Sequence, residues 1–322
     1  MRRLWFLINR LVLAAVVALP IPPSASACSG CSCLLNTHWD SQGYAGGPGL
    51  RLDLRYDDIH QSQLREGTKK VDTGSVAFPT DREIQQSTRN RAMTVGVDYA
   101  PNGDWGFNLQ LPLLDRPHTT IVDGDTDVSG SRTAHAGDAQ LTARYQGFLP
   151  GKNLGIRAGI KFPTGPFHDV FRDGPQAGQP LDRGLQAGTG TTDLLLGLYR
   201  FGSLGGPWGY FSQVAFQQPL RAREDYKPGA SWVFSLGARC VVSDRFQPQF
   251  QLVEKIEGKE SGDQADRENS GSSVLYAAPG LSVGLAARTS VFGFVQLPVH
   301  QNVNGYQLVP RAAFSLGLRY VL

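Results

Sequence analysis

Three cysteines crowd into Cys28-Ser29-Gly30-Cys31-Ser32-Cys33. Thiolates at this spacing, with His38 as a fourth ligand, suit Zn or Cu(I). The same residues admit two other states. Cys28 and Cys31 are far enough apart for a small disulfide ring in an oxidising compartment, whereas Cys31 and Cys33 are too close. Cys28 could instead carry a lipid if cleavage made it the first residue, although Ala25 stands where a lipoprotein signal prefers Leu. Cys240, the fourth cysteine, is expected to point outward as an inert apolar residue. Other short motifs lead away from catalysis. Asp72-Thr73-Gly74 matches one aspartic-protease triplet, but that chemistry needs two carboxylates sharing a proton, and there is no second triplet. Gly188-Thr189-Gly190 lacks the third glycine of a dinucleotide site and precedes a strand pattern. The six histidines (His38, His60, His118, His135, His168, His300) show no ligand spacing with one another, and no Gly-x-Ser-x-Gly elbow occurs. No catalytic residue is implied.

The elements that would position any site are strands. The 322 residues include 38 Gly, 16 Phe, 10 Tyr and 5 Trp, with 18% charged residues, which is too aromatic and too weakly charged for disorder. Met1–Ala27 reads as a secretory leader: Arg2, Arg3 and Arg10, an apolar stretch from Leu11 to Ile21, then Ala25-Ser26-Ala27. Beyond it no stretch is long and apolar enough for a spanning helix. The leader holds three of the 31 Lys and Arg and none of the 28 Asp and Glu, so the remainder is formally neutral. A nucleic-acid partner, which needs a basic domain or stripe, is not expected.

From Pro48 onward the period is two. Leu50, Leu52, Leu54 and Tyr56 alternate with Arg51, Asp53 and Arg55; Trp105, Phe107, Leu109 and Leu111 oppose Asn108 and Gln110. Twelve such strands are expected. Five links near residues 100, 150, 204, 244 and 286 are short, and six others, at 57–90, 115–134, 165–190, 219–229, 257–272 and 300–309, are longer and polar. Sorted loops, long strands, aromatic residues near strand ends and a final strand with Phe314, Leu316, Leu318, Tyr320 and Leu322 on one face predict an all-β fold. It is a transmembrane antiparallel up-and-down β-barrel of the bacterial (Gram-negative) outer membrane, with short periplasmic turns and long extracellular loops. The expected organisation is a leader (1–27), a periplasmic Cys-containing arm (28–47) and the barrel (48–322).

The residues also resemble a family, the outer-membrane barrels of the MetA-type phenol-degradation pathway, described as transporters. The resemblance rests on Trp39-Asp40-Ser41-Gln42-Gly43, Gly137-Asp138, Lys161-Phe162-Pro163-Thr164-Gly165 and Gly188-Thr189-Gly190-Thr191-Thr192-Asp193. Gln296-Leu297-Pro298, Gly305-Tyr306-Gln307-Leu308 and Leu318-Arg319-Tyr320 extend it to the end of the chain. It departs at Leu322, where such barrels usually end in an aromatic residue. The resemblance implies passage of small compounds, aromatic ones included.

Together these readings predict a channel for passive or facilitated passage of small molecules, with outer-membrane lipid around it and no resident cofactor unless the cysteines hold metal. The rival expectations are a docking barrel that holds a periplasmic protein through the cysteine-containing arm, and an outer-membrane enzyme. Sorting by face makes the lumen wall basic: Arg51, Arg55, Arg144, Arg157, Lys161, Arg239, Lys255 and Arg319, beside Gln110, against Asp53, Asp98 and Asp193. Such a wall favours anions. Alternatively these cations pair with the carboxylates and fill a narrow interior.

Overall fold

The computed structural model describes residues 26–27, 39, 41–44, 47–243 and 245–322. Its strands are β1 (Ser26–Ala27), β2 (Gly49–Gly67), β3 (Lys69–Lys70), β4 (Ile84–Ala100), β5 (Trp105–Ile121), β6 (Ser129–Ala136), β7 (Gln140–Tyr145), β8 (Leu154–Lys161), β9 (Asp193–Gly205), β10 (Trp208–Pro219), β11 (Ser231–Cys240), β12 (Phe246–Glu257), β13 (Gly271–Ala286) and β14 (Thr289–Val321). Two three-residue 3₁₀ turns, Thr73–Ser75 and Arg183–Leu185, are added. All pairings between strands are antiparallel, and because β14 bonds both β13 and β2 the sheet closes on itself. Eleven strands make the ring; β1 pairs with β13, β3 with β2 and β6 with β5 outside it. The chain is an all-β closed barrel.

Burial is inverted relative to a water-soluble fold. On β2, Leu50, Leu52, Leu54 and Tyr56 are 37–42% exposed, while Arg51 between them is 2% exposed. The same reversal recurs on β5, where Phe107, Leu109 and Leu111 are exposed and Asn108 is buried. A continuous apolar outer band with a polar interior is stable only where lipid replaces water outside. Cys240 pairs with the exposed, outward Trp208, as its strand position predicts.

Two expectations change. The twelve strands counted from period two appear as eleven ring elements, because β14 runs through 33 residues; residues 289–303 pair with β13 and residues 303–321 with β2. The segments 57–90 and 115–134 are mainly strand, not loop: β2 and β4 continue to Gly67 and from Ile84, and β5 to Ile121. There the outward residues are Asp58, His60, Arg89 and Arg91, so the apolar half of the alternation ends while the hydrogen-bonded ladder goes on.

Inside the barrel, rings lie against glycines of the neighbouring strand, Phe211 over Gly237, Phe294 over Gly280 and Tyr199 over Gly155, and Phe292 lies over Gly317 of the other half of β14. A β-carbon at any of these glycines would overlap the ring.

Candidate functional site: a lumen narrowed from both ends

The first constriction is the chain's own early segment. Trp39 and Tyr44 contact edge to face at 5.3 Å, and Trp39 meets Phe292 at 5.4 Å. With Val253, Val274, Tyr276, Ala278 and Phe294 they form an apolar cluster on the inner faces of β12–β14. Arg239 fixes the turn by donating to the carbonyls of Gln42 (2.8 Å) and Gly43 (3.3 Å) and lying 4.5 Å over the Tyr44 ring. Arg319 sits 5.3 Å over Trp39. The described part of the expected arm therefore packs within the barrel, where its aromatic residues escape water, rather than extending from it. Cys28, Cys31, Cys33 and His38 lie outside the described residues. Among the described residues, no group of His, Cys, Asp and Glu could hold a metal ion.

The second constriction is the connection 162–192 between β8 and β9. Its centre, Arg183 to Gln186, is buried. Arg116, an inward residue of β5, donates through Nη1 to the carbonyls of Gly184 and Gln186, both at 3.2 Å. Phe171, Leu181 and Leu185 give the segment a small core with Val122 beside them.

A single buried node ties both ends of that segment to the wall. Lys161 Nζ lies 2.9 Å from Asp138 and 3.1 Å from Asp193, with Thr189 Oγ1 also bonded to it. Asp138 additionally accepts from Gly165 N and Thr189 N, each at 3.0 Å. Thr164 Oγ1 donates to the Gly137 carbonyl, and Asp193 accepts from Thr191 and Gln217. Three stretches far apart in sequence thus supply one polar cluster, in which each buried charge has partners.

The remaining wall residues are paired in the same manner. Asp98 lies between Arg51 (3.0 Å) and Arg144. Arg319 grips Asp53 with two bonds of 2.7 Å, Arg55 meets Asp57 at 2.8 Å, and Lys255 meets Glu257 at 2.7 Å. Gln110 donates to Asn108, and Arg157 lies 5.5 Å over Tyr199. Sequence sorting missed Asp57 and Asp138: each is an inward, buried carboxylate that offsets a cation counted as part of a basic wall. Arg116 was missed too, because its stretch reads as loop.

Among the described residues, a cavity of about 150 Å³ lies along β5 and β7–β11, lined by Asn108, Gln110, Gln140, Thr142, Arg157 and Gln213 among others. A closed ring with a lipid-compatible outside and a polar inside defines a bacterial outer-membrane β-barrel. No protein-family model matches the sequence, and no curated protein matches it. Among solved structures the fold is similar to the COG4313 outer membrane channel from Pseudomonas putida F1, at 14% identity and TM-score 0.64, over 86% of this chain and 96% of that one. Weaker likenesses are the translocator domain of the autotransporter NalP from Neisseria meningitidis (10% identity, TM-score 0.48, 87% and 91% covered) and the CymD monoaromatic hydrocarbon channel (10%, 0.43, 93% and 98%).

Proposed function

We propose that this barrel is a narrow channel for passive passage of small, uncharged solutes, not an enzyme. The observation that carries the reading is the amide-rich cavity of about 150 Å³ along β5 and β7–β11, lined by Asn108, Gln110, Gln140, Gln213 and Gln217. That volume suits a molecule about the size of one aromatic ring. The paired cations favour uncharged over anionic solutes, since a guanidinium already bonded to a carboxylate adds little net field. Amide and hydroxyl groups on the wall offer hydrogen bonds to a solute that sheds its water on entry.

The ring reads as twelve membrane passes. An all-antiparallel ring can close only with an even number of passes, and the two halves of β14 pair with different neighbours. We read the short-turn end, with the connections 101–104, 206–207 and 287–288, as periplasmic, and the end with 71–83, 162–192 and 258–270 as outside; the greater length of the latter connections supports that reading. Kinship with the phenol-degradation barrels is supported by the use the fold makes of the shared stretches: Asp138, Lys161, Thr189 and Asp193 meet in the node that holds 162–192. Metal binding by Cys28, Cys31 and Cys33 is a separate proposal, read out by metal content of the purified chain and its loss in a Cys31→Ser variant.

Liposome swelling tests the channel. Uncharged single-ring and small polar solutes should enter faster than singly charged ones of equal size. Equal exclusion of all solutes, with the barrel folded, would refute channel function and favour a docking role.

A further inference from the structure

On the outer wall formed by β14, β2, β4, β5 and β6, side-chain character changes within one pleat. The register sets Leu316, Tyr56, Met93, Leu113 and Ala136 in one row across the five strands. The next outward row toward the long-loop end is Phe314, Asp58, Arg91, Asp115 and Ala134. Beyond it His60 pairs with Arg89 and Pro117 with Arg132, and Arg311 is exposed in the bulge beside His60. From Trp105 to Leu113 the outer face of β5 is apolar, a stretch that climbs about 20 Å along the membrane normal at the usual rise and tilt. Asp115 and its neighbours therefore fall at the hydrocarbon edge, at the depth of lipid headgroups.

The cations there are held in place. Arg89 donates Nε and Nη2 to Asp58 at 2.9 and 2.6 Å. Arg91 and Arg132, from strands on either side of β5, take the two oxygens of Asp115 at 2.9 and 2.7 Å. A guanidinium carries five N–H donors, so these bonds leave donors on all three. Arg132 stays 54% exposed and Arg89 44%. With Arg311, four arginines face two aspartates on this side of the barrel wall, an excess of positive charge; toward the same end the row across β10, β11 and β12 is Phe216, Trp232 and Ile256. Immobilised guanidinium groups at headgroup depth match phosphate, which they bind through paired N–H donors.

We propose that the Arg89–Arg91–Arg132 face is a binding site for the phosphate groups of the phosphorylated glycolipid of the outer leaflet. Asp58 and Asp115 act as positioning residues that splay the guanidinium groups across three strands. This rests on the orientation proposed above, with the long-loop end outside.

The test uses the full chain in detergent, loaded with phosphorylated glycolipid, the same glycolipid after dephosphorylation, phosphatidylglycerol or inorganic phosphate, and read by native mass spectrometry. The wild type should retain the phosphorylated glycolipid, and the Arg89→Gln/Arg91→Gln/Arg132→Gln variant should hold it about tenfold less well. Arg132→Gln alone should lose part, and Arg288→Gln at the short-turn end should lose none. Heat-shifted gel mobility certifies that each variant is folded. Equal retention by the triple variant, or equal retention of the dephosphorylated lipid or of phosphatidylglycerol, overturns the proposal. An epitope inserted after Gly178 and stained on intact cells reports the orientation separately, so a reversed barrel is distinguished from an absent site.

Discussion

Replacing Lys161 by Met should release the inward segment 162–192. The lysine is 5% exposed, and its ammonium lies between Asp138 (6% exposed) and Asp193 (0%). Removing one member of a buried ion cluster typically costs about 3–5 kcal/mol, because the charge left behind is uncompensated. Here Asp138 keeps the Gly165 and Thr189 amides, and Asp193 keeps Thr191 and Gln217, so the cost falls at the lower end, about 3 kcal/mol. A change of that size shifts the balance between seated and released segment by about 150-fold. In planar bilayers Lys161→Met should show larger conductance or longer open dwell times than the wild type, and protease should cut within 162–192 more readily. Adding Asp138→Asn should reverse part of the effect by removing one stranded charge. Wild-type conductance and wild-type protease resistance in a folded Lys161→Met barrel would show that the node does not hold the segment.

Trp39→Ala strips the early segment of its contacts with Phe292 and Arg319, at a cost of about 3 kcal/mol, and conductance should rise; no change would mean that this segment does not limit flow. Asp57→Asn should turn a near-zero reversal potential under a KCl gradient toward anion preference, since Arg55 loses its 2.8 Å partner; a shift toward cations would refute the pairing argument. Leu318→Arg puts a charge on the lipid face opposite Leu54, costing about 2–4 kcal/mol near mid-depth, and folded protein in the outer membrane should fall. Burial lifts the Glu83 carboxyl to about 7 against the opposing hydrogen bond from Thr120. The folded barrel holds that proton more tightly than the unfolded chain, so thermal stability should fall as pH rises from about 4.5 to about 7 and then level off. Glu83→Gln should flatten that slope, and an unchanged slope would assign it to other groups.

The membrane-facing half of this fold was legible because lipid imposes a simple rule. Leu50, Leu52, Leu54 and Tyr56 have to be apolar whatever the lumen does, so period two survives in them. Beyond the hydrocarbon edge the rule lapses, and the ladder from Asp58 to Gly67 reads like loop. Face assignment failed where neighbours share a type: Asp57 and Asp58 look alike in sequence, yet one is buried beside Arg55 and the other sits outside with Arg89. Trp39 and Tyr44 gave no hint of their destination, since aromatic residues suit a headgroup interface as well as a lumen. The Lys161 node was present only as scattered short stretches, whose common purpose appears when three connections meet in space.

The glycines beneath the inward rings make the calibre of the passage a property of residues that a solute never meets. Phe211 lies along the wall because Gly237 leaves it a recess, and Phe292 and Phe294 do the same over Gly317 and Gly280. A single methyl group at Gly237 would lift the Phe211 ring from its recess toward the axis while leaving every polar group on the path unchanged. Selectivity by size and selectivity by chemistry are thus encoded at separate positions, and a descendant of this chain could alter one while keeping the other.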